Sequence, residues 1–201
     1  MTDEASEPNH RLQHVLDTGP LVSFGGVNGG PALLRDLLMG HVHWTADVAW
    51  ELEHIGGPAR LREAAATSRR QCVPWLPEPV EVLDLEAVEQ VKADLPRFAQ
   101  TRRQRETAED PNKNHGEAAS IVLARELRDR FAPQATVVLV CDEDAARALA
   151  EQEGFKTICS GELLRVAVAR GLWSRQAAYQ RYREMRTYTD PGVHFDSARD
   201  L

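Results

Sequence analysis

Features of secreted, membrane-spanning and basic proteins are scarce in this sequence. Its three cysteines, Cys72, Cys141 and Cys159, lie far apart and never in a CxxC pair, so neither a disulfide framework nor a cysteine zinc site is predicted. The longest apolar run, Val137–Cys141, has the length of a strand and not of a membrane span. The N-terminus is acidic and polar and has no signal-peptide pattern, which favours a cytoplasmic protein without membrane contact.

Positive charge is also in deficit, which limits the kinds of nucleic-acid binding to expect. The formal net charge is −7, and this argues against a protein that coats nucleic acid non-specifically. Residues 160–188 nevertheless hold six arginines against two glutamates, and Arg102, Arg103 and Arg105 lie in a charge-dense interior stretch. These arginines are candidates for contacts with RNA phosphates, and a solvated surface is the alternative interpretation.

Apolar strand patterns alternate with helical patterns along the chain. The run over 136–141 is continuously apolar, which is typical of a strand in the middle of a parallel sheet. Residues 114–130 have a strong helical pattern, and further helices are predicted on both sides of the strands. The alternation predicts an α/β fold, a three-layer α/β/α sandwich with a mostly parallel central sheet.

Two of the predicted strands end in an aspartate that precedes a helix. In the stretch HVLDTGPL the apolar residues stop at Asp17, and in TVVLVCDED they stop before Asp142. Ligands of open parallel sheets bind at the carboxyl ends of the strands, so both side chains are candidates for a site. The alternative for each is a helix N-cap, a position that aspartate favours.

Two predicted helices carry a glutamate next to their apolar face. Glu51 lies in the segment DVAWELEHI beside the stripe formed by Val48, Leu52 and Ile55. Glu117 lies in the first turn of the helix that starts NHGEAAS. A solvent-facing position for Glu51 and a helix-dipole interaction of about 0.3–1 kcal/mol for Glu117 are the alternatives to a functional role.

Four carboxylates in one crevice would repel one another unless a cation neutralised them. Mg²⁺ prefers carboxylate oxygens, and divalent cations activate water for attack on a phosphodiester. The sequence therefore predicts a site for Mg²⁺ or Mn²⁺ formed by Asp17, Glu51, Glu117 and Asp142, with Asp144 as a further candidate ligand.

In this order, VLDTGPL, AWELEH, HGEAASIVLA and VVLVCDEDAARALAEQEG resemble the PIN-domain nucleases, many of which are toxins of bacterial toxin–antitoxin pairs. The resemblance implies a PIN-like nuclease domain over 12–171, preceded by a disordered N-terminus (1–11) and followed by a C-terminal helical extension (172–201). It implies that Asp17, Glu51, Glu117 and Asp142 are the catalytic acids. Gly19 departs from the family pattern, because a small polar residue is frequent there.

The resemblance implies a metal-dependent endoribonuclease that hydrolyses RNA and is neutralised by a small antitoxin protein, with a homodimer as an open alternative. Two other functions stay open at this point. One is a catalytically silent PIN-like interaction module, and the other is a small-molecule phosphatase on a similar sheet. The absence of a DxD sequence after the first strand argues against the phosphatase, since Gly19 occupies the place of its second aspartate.

Overall fold

The computed structural model describes residues 11–38, 41–99, 114–132 and 134–201. In this part of the chain a four-stranded sheet with the order β2-β1-β3-β4 is parallel throughout. Its strands are Arg11–Leu16 (β1), Val42–His43 (β2), Ala135–Val140 (β3) and Lys156–Ile158 (β4). The α/β fold class predicted from the alternating pattern is confirmed.

Nine α-helices surround the sheet within the described residues. They are Thr18–Gly25 (α1), Gly30–Leu38 (α2), Ala46–His54 (α3), Ala59–Gln71 (α4), Leu85–Asp94 (α5), His115–Phe131 (α6), Asp144–Gln152 (α7), Ser160–Ala169 (α8) and Arg175–Met185 (α9). The helix expected over 114–130 therefore begins and ends one residue later than its pattern indicated.

The two central strands, β1 and β3, separate two hydrophobic cores, one on each face of the sheet. Helices, sheet and helices therefore form three layers. Successive strand residues point to opposite faces of a sheet. Leu16 and Val140 pack with residues of α1, α2, α8 and α9 on one face. Val15 and Leu139 pack with residues of α5, α6 and α7 on the other. Both faces are buried where these residues lie, which is why β1 ends in the apolar pair Val15–Leu16 and β3 is apolar at every position but Thr136.

The predicted C-terminal extension packs onto the first of these cores. Tyr182 and Met185 of α9 are almost completely buried there, together with Phe195 and Leu201. The Tyr182 hydroxyl accepts a hydrogen bond from the Phe195 amide (2.9 Å) and donates one to the Val193 carbonyl (3.1 Å). Tyr182, which anchors α9 in the core, thus also holds the irregular C-terminal tail through these two hydrogen bonds.

Two of the sequence-based predictions fall on residues that the structure does not describe, and the first is the disordered N-terminus, of which residues 1–10 lie outside the described ranges. The first described residue, Arg11, already belongs to β1. Arg102, Arg103 and Arg105 lie outside the described residues. None of the helices in the described ranges combines the length and apolar character needed to cross a bilayer.

Candidate metal centre

Asp17 lies immediately after β1, at the carboxyl end of the sheet. Its backbone amide donates a hydrogen bond to the Val140 carbonyl of β3 (3.0 Å), which extends the strand pairing by one residue. The residue is only 2 % exposed. Its carboxylate also N-caps α1 by accepting a long hydrogen bond from the Gly19 amide (3.4 Å). The capping interpretation is therefore correct, and it leaves most of the carboxylate available for other contacts.

Helices α3 and α6 bring two glutamates to Asp17. One carboxylate oxygen from each of Asp17, Glu51 and Glu117 lies within 4.8 Å of the other two. We refer to these three residues as the acid triad. They are separated by 34 and 66 positions in the sequence, so only the packing of α3 and α6 against the end of β1 unites them.

Backbone and hydroxyl donors hold Glu51 in place. Its Oε1 accepts a hydrogen bond from the Gly116 amide (2.9 Å), and its Oε2 accepts one from the Thr18 hydroxyl (2.6 Å). The Gly116 amide lies in the first turn of α6, where backbone N–H groups have no partner within the helix. Asn114, the residue that precedes α6, provides no side-chain cap. Glu51 therefore caps α6 from a neighbouring helix while it faces the other two acids.

Burial and mutual repulsion make Asp17 and Glu117 hard to ionise. Burial, followed by the charge of Glu51, raises the pKa of Asp17 to about 7. Burial, followed by the charges of Asp17 and Glu51, raises the pKa of Glu117 well above its usual range. Like charges in a poorly solvated site disfavour the ionised forms. A bound cation reverses this effect, because it favours the ionised carboxylates.

The donor set of the triad suits a hard divalent cation. All three ligands offered are carboxylate oxygens, which Mg²⁺ and Mn²⁺ accept. Asp17 Oδ1 is buried and has no hydrogen-bond partner. A buried acceptor without a partner is uncommon and costs free energy. A cation between the three carboxylates would supply the missing partner, so the residues present fit the predicted metal.

The structure does not bring Asp142 into this group. Its Oδ1 accepts a hydrogen bond from the Ser160 amide (2.7 Å), and its Oδ2 accepts from the hydroxyls of Ser160 (2.8 Å) and Ser23 (3.0 Å). Burial raises the pKa of Asp142 to about 6, although these bonds favour the charged form. Asp142 thus follows β3 as predicted, but its carboxylate joins β3 to α8 and α1. It lies against the first turn of α1, since a Cβ on Gly19 would be 3.1 Å from its Cβ.

Asp144, the further candidate ligand, also lies outside the triad. It forms an ion pair with Arg147, one turn later in α7. The same arginine donates a hydrogen bond to the Gly192 carbonyl in the C-terminal tail (3.0 Å). Among the described residues, the triad alone groups three or more possible metal ligands this closely. The close grouping thus holds three of the five predicted metal ligands.

Several residues that shape the site were absent from the sequence-based prediction. Thr18 and Gly116 position Glu51, while Ser23 and Ser160 hold Asp142. One signal was available for Ser160, because it follows a short strand and precedes a helix, as Asp17 does. No comparable signal marks Ser23, which lies inside α1 and is completely buried.

Comparisons with known proteins add no relatives. No protein-family model, curated protein or solved structure matches this chain.

Proposed function

We propose that this protein is a metal-dependent endoribonuclease that hydrolyses RNA phosphodiester bonds with Mg²⁺ or Mn²⁺ held by Asp17, Glu51 and Glu117. One observation carries the proposal: three carboxylates from separate elements meet within 4.8 Å at the carboxyl end of a parallel sheet. The sequence resemblance to PIN-domain nucleases supports RNA as the substrate, because its motifs contain these three acids in the same order.

The energetics of the triad also support a functional role. An arrangement selected for stability alone would not place two half-buried glutamates beside the buried Asp17 and leave Asp17 Oδ1 without a partner. Strongly perturbed carboxyl groups in a cleft are typical of functional sites. Functional sites commonly lower the stability of the folded protein, and a bound cation would relieve the repulsion between these carboxylates.

A divalent cation bound by the triad supplies Lewis-acid polarisation of a phosphodiester and lowers the pKa of a water molecule. The protein provides the geometry. The Thr18 hydroxyl and the Gly116 amide orient both oxygens of Glu51. Asp17 is fixed by the end of β1, where the backbone is paired on one side with β3. Burial and the charges of Asp17 and Glu51 raise the pKa of Glu117 well above its usual range in the metal-free protein.

A comparison of three substrates tests the activity. The purified protein is incubated with single-stranded RNA, single-stranded DNA or a generic phosphomonoester, each with Mn²⁺ or with EDTA. We expect cleavage of RNA with Mn²⁺ and none with EDTA, and loss of cleavage in Asp17→Asn. Turnover of the phosphomonoester alone would identify a phosphatase. Mn²⁺ binding without turnover of any substrate would identify a silent interaction module.

We further propose that the ribonuclease is the toxin of a toxin–antitoxin pair, neutralised by a small protein. This part rests on the sequence resemblance alone. Its test is inducible expression of the wild type and of Asp17→Asn in a bacterial host. Growth arrest by the wild type and normal growth with the variant, at equal protein levels, is the expected result. Normal growth with an active wild-type ribonuclease would contradict the toxin role and leave the enzyme role intact.

A further inference from the structure

A buried thiol lies directly beside the candidate metal centre. Leu16 of β1 and Val140 of β3 are paired in the sheet, so the next residues of the two strands, Asp17 and Cys141, lie side by side. Cys141 is completely buried. Its Sγ is 3.4 Å from Asp17 Oδ2, a distance suited to an S–H···O hydrogen bond.

The surroundings of Cys141 direct its proton to Asp17. Sγ accepts a hydrogen bond from the Glu143 amide at 3.4 Å. Two oxygens can receive the S–H proton, and Asp17 Oδ2 at 3.4 Å is closer than the Glu143 carbonyl at 3.9 Å. An ionised carboxylate is also a stronger acceptor than a carbonyl oxygen. The thiol therefore donates to the triad.

This bond accounts for the different environments of the two Asp17 oxygens. Oδ2 accepts from the Cys141 thiol and, at 3.4 Å, from the Gly19 amide. Oδ1 is buried and accepts nothing. Because Oδ2 is engaged from two sides, rotation of the carboxylate would cost it both donors, whereas Oδ1 is the oxygen left without a partner.

We propose that Cys141 is a positioning residue that holds Asp17 Oδ2 through its S–H group and so presents Oδ1 as the metal ligand. The inference rests on the proposed metal site. Cys141 itself supplies no ligand, since no group of mutually close ligand atoms in the described residues includes its Sγ. Partners that orient a metal ligand from behind typically change metal affinity by about 10–100-fold when they are removed.

The alternative is that Cys141 only fills space between the sheet and α7, as a small apolar residue would. Cys72 provides a matched control for that role. It too is a free and completely buried cysteine. Its thiol lies 3.9 Å from the Ser68 hydroxyl and packs in the other core, away from the triad.

The experiment measures the Mn²⁺ dissociation constant of the full-length protein by calorimetry for wild type, Cys141→Ala, Cys141→Ser and Cys72→Ala. We expect Cys141→Ala to raise the Kd about tenfold or more at unchanged stoichiometry. Cys141→Ser keeps a donor, so its Kd should lie closer to wild type than to the alanine variant. Cys72→Ala should bind as wild type does. Both alanine variants should melt below wild type because each loses buried packing. Only Cys141→Ala should also bind Mn²⁺ more weakly, and this difference separates positioning from packing.

Four results would overturn the inference. Equal Mn²⁺ Kd values for wild type and Cys141→Ala would show that the thiol only fills space. Because the wild type still binds Mn²⁺ in that outcome, the proposed metal site would stand. A Cys141→Ser variant as weak as the alanine variant would show that the donor is irrelevant. A sulfur-to-cobalt charge-transfer band in the Co²⁺-loaded wild type, lost in Cys141→Ala, would make Cys141 a ligand. Absence of any Mn²⁺ binding by the wild type would remove the proposed metal site together with the inference.

Discussion

The Gly116 amide donates a hydrogen bond to Glu51 Oε1 at 2.9 Å, and a Cβ at position 116 would lie 2.5 Å from Glu51 Oε2. Glycine is thus required for Glu51 to approach the first turn of α6. The carboxylate is the far end of a side chain, so it can move away from an added methyl group. A substitution at position 116 should therefore displace the Glu51 carboxylate more than it destabilises the fold.

Gly116→Ala should therefore reduce activity while the protein stays folded. A displacement of about 1 Å in a catalytic group can lower the rate about 100-fold. We expect a loss of that order in RNA cleavage, with a melting temperature close to that of the wild type. Gly56→Ala is the matched control, because a Cβ there meets no atom within 4 Å. A fully active Gly116→Ala would show that Glu51 is not needed where the structure places it.

The metal-free protein should lose stability as the pH rises. The pKa of Asp17 is about 7 in the folded state against 3.8 as its ordinary value, and that of Glu117 is also raised. The folded protein then binds more protons than the unfolded chain between pH 3.8 and about 7, so stability falls across this window as the pH increases. Below the window both states are protonated and this contribution no longer changes.

Urea unfolding in EDTA at a series of pH values measures this effect. Asp17→Asn lacks the titrating group and relieves repulsion on Glu117, so its stability should fall less between pH 4 and pH 7 than that of wild type. Saturating Mn²⁺ should stabilise the wild type more than the variant, because the cation binds the folded state. Parallel pH profiles for both proteins in EDTA would contradict the raised pKa.

Asp17 and Asp142 should differ in their effect on metal binding. Asp17 belongs to the acid triad, whereas the Asp142 oxygens are engaged by Ser160 and Ser23. We expect Asp17→Asn to weaken Mn²⁺ binding beyond the factor of about 10–100 typical of outer-shell partners, and Asp142→Asn to stay within that range. Calorimetric titration checks this. Equal losses in both variants would place Asp142 among the ligands.

Ser160 should contribute to stability and not to metal binding. Its completely buried hydroxyl donates to Asp142, and hydrogen bonds to charged groups are worth about 1.5–3 kcal/mol. Ser160→Ala should lower the free energy of unfolding by roughly that amount. Ser120→Ala is the control, since this equally buried hydroxyl has no partner and its removal should cost little. Equal losses in the two variants would mean that the bond to Asp142 is not stabilising.

RNA binding by an acidic protein should depend on local arginines. Replacing Arg102, Arg103 and Arg105 by alanine should flatten the slope of log K against log salt by about 0.7 per lost contact with single-stranded RNA. Arg128 and Arg130 provide the control, because they lie about 17–20 Å along α6 from Glu117. Filter binding at several salt concentrations with Asp17→Asn as background measures the slopes. Unchanged slopes in the triple variant would show these arginines to be solvated surface.

The sequence by itself was sufficient for the fold class and for most of the elements. Periodicity is a local property. The apolar run over 136–141 predicted β3, the short apolar pair before Asp17 predicted the end of β1, and helical spacing predicted α3 and α6 to within one residue of their ends. It was sufficient also to select Asp17, Glu51 and Glu117, because each lies at a strand end or next to a buried helix face. Those positions are determined by secondary structure, which neighbouring residues specify.

Only the tertiary structure decided which acids meet. Asp142 has the same sequence context as Asp17, a buried strand followed by a helix, yet its oxygens are engaged by Ser160, 18 positions later, and by Ser23, 119 positions earlier. The Cys141 thiol reaches Asp17 across 124 positions because β3 pairs with β1. Such contacts depend on strand order and helix packing, which local spacing does not encode. The sequence therefore determined the candidates, and the packing around the ends of β1 and β3 selected among them.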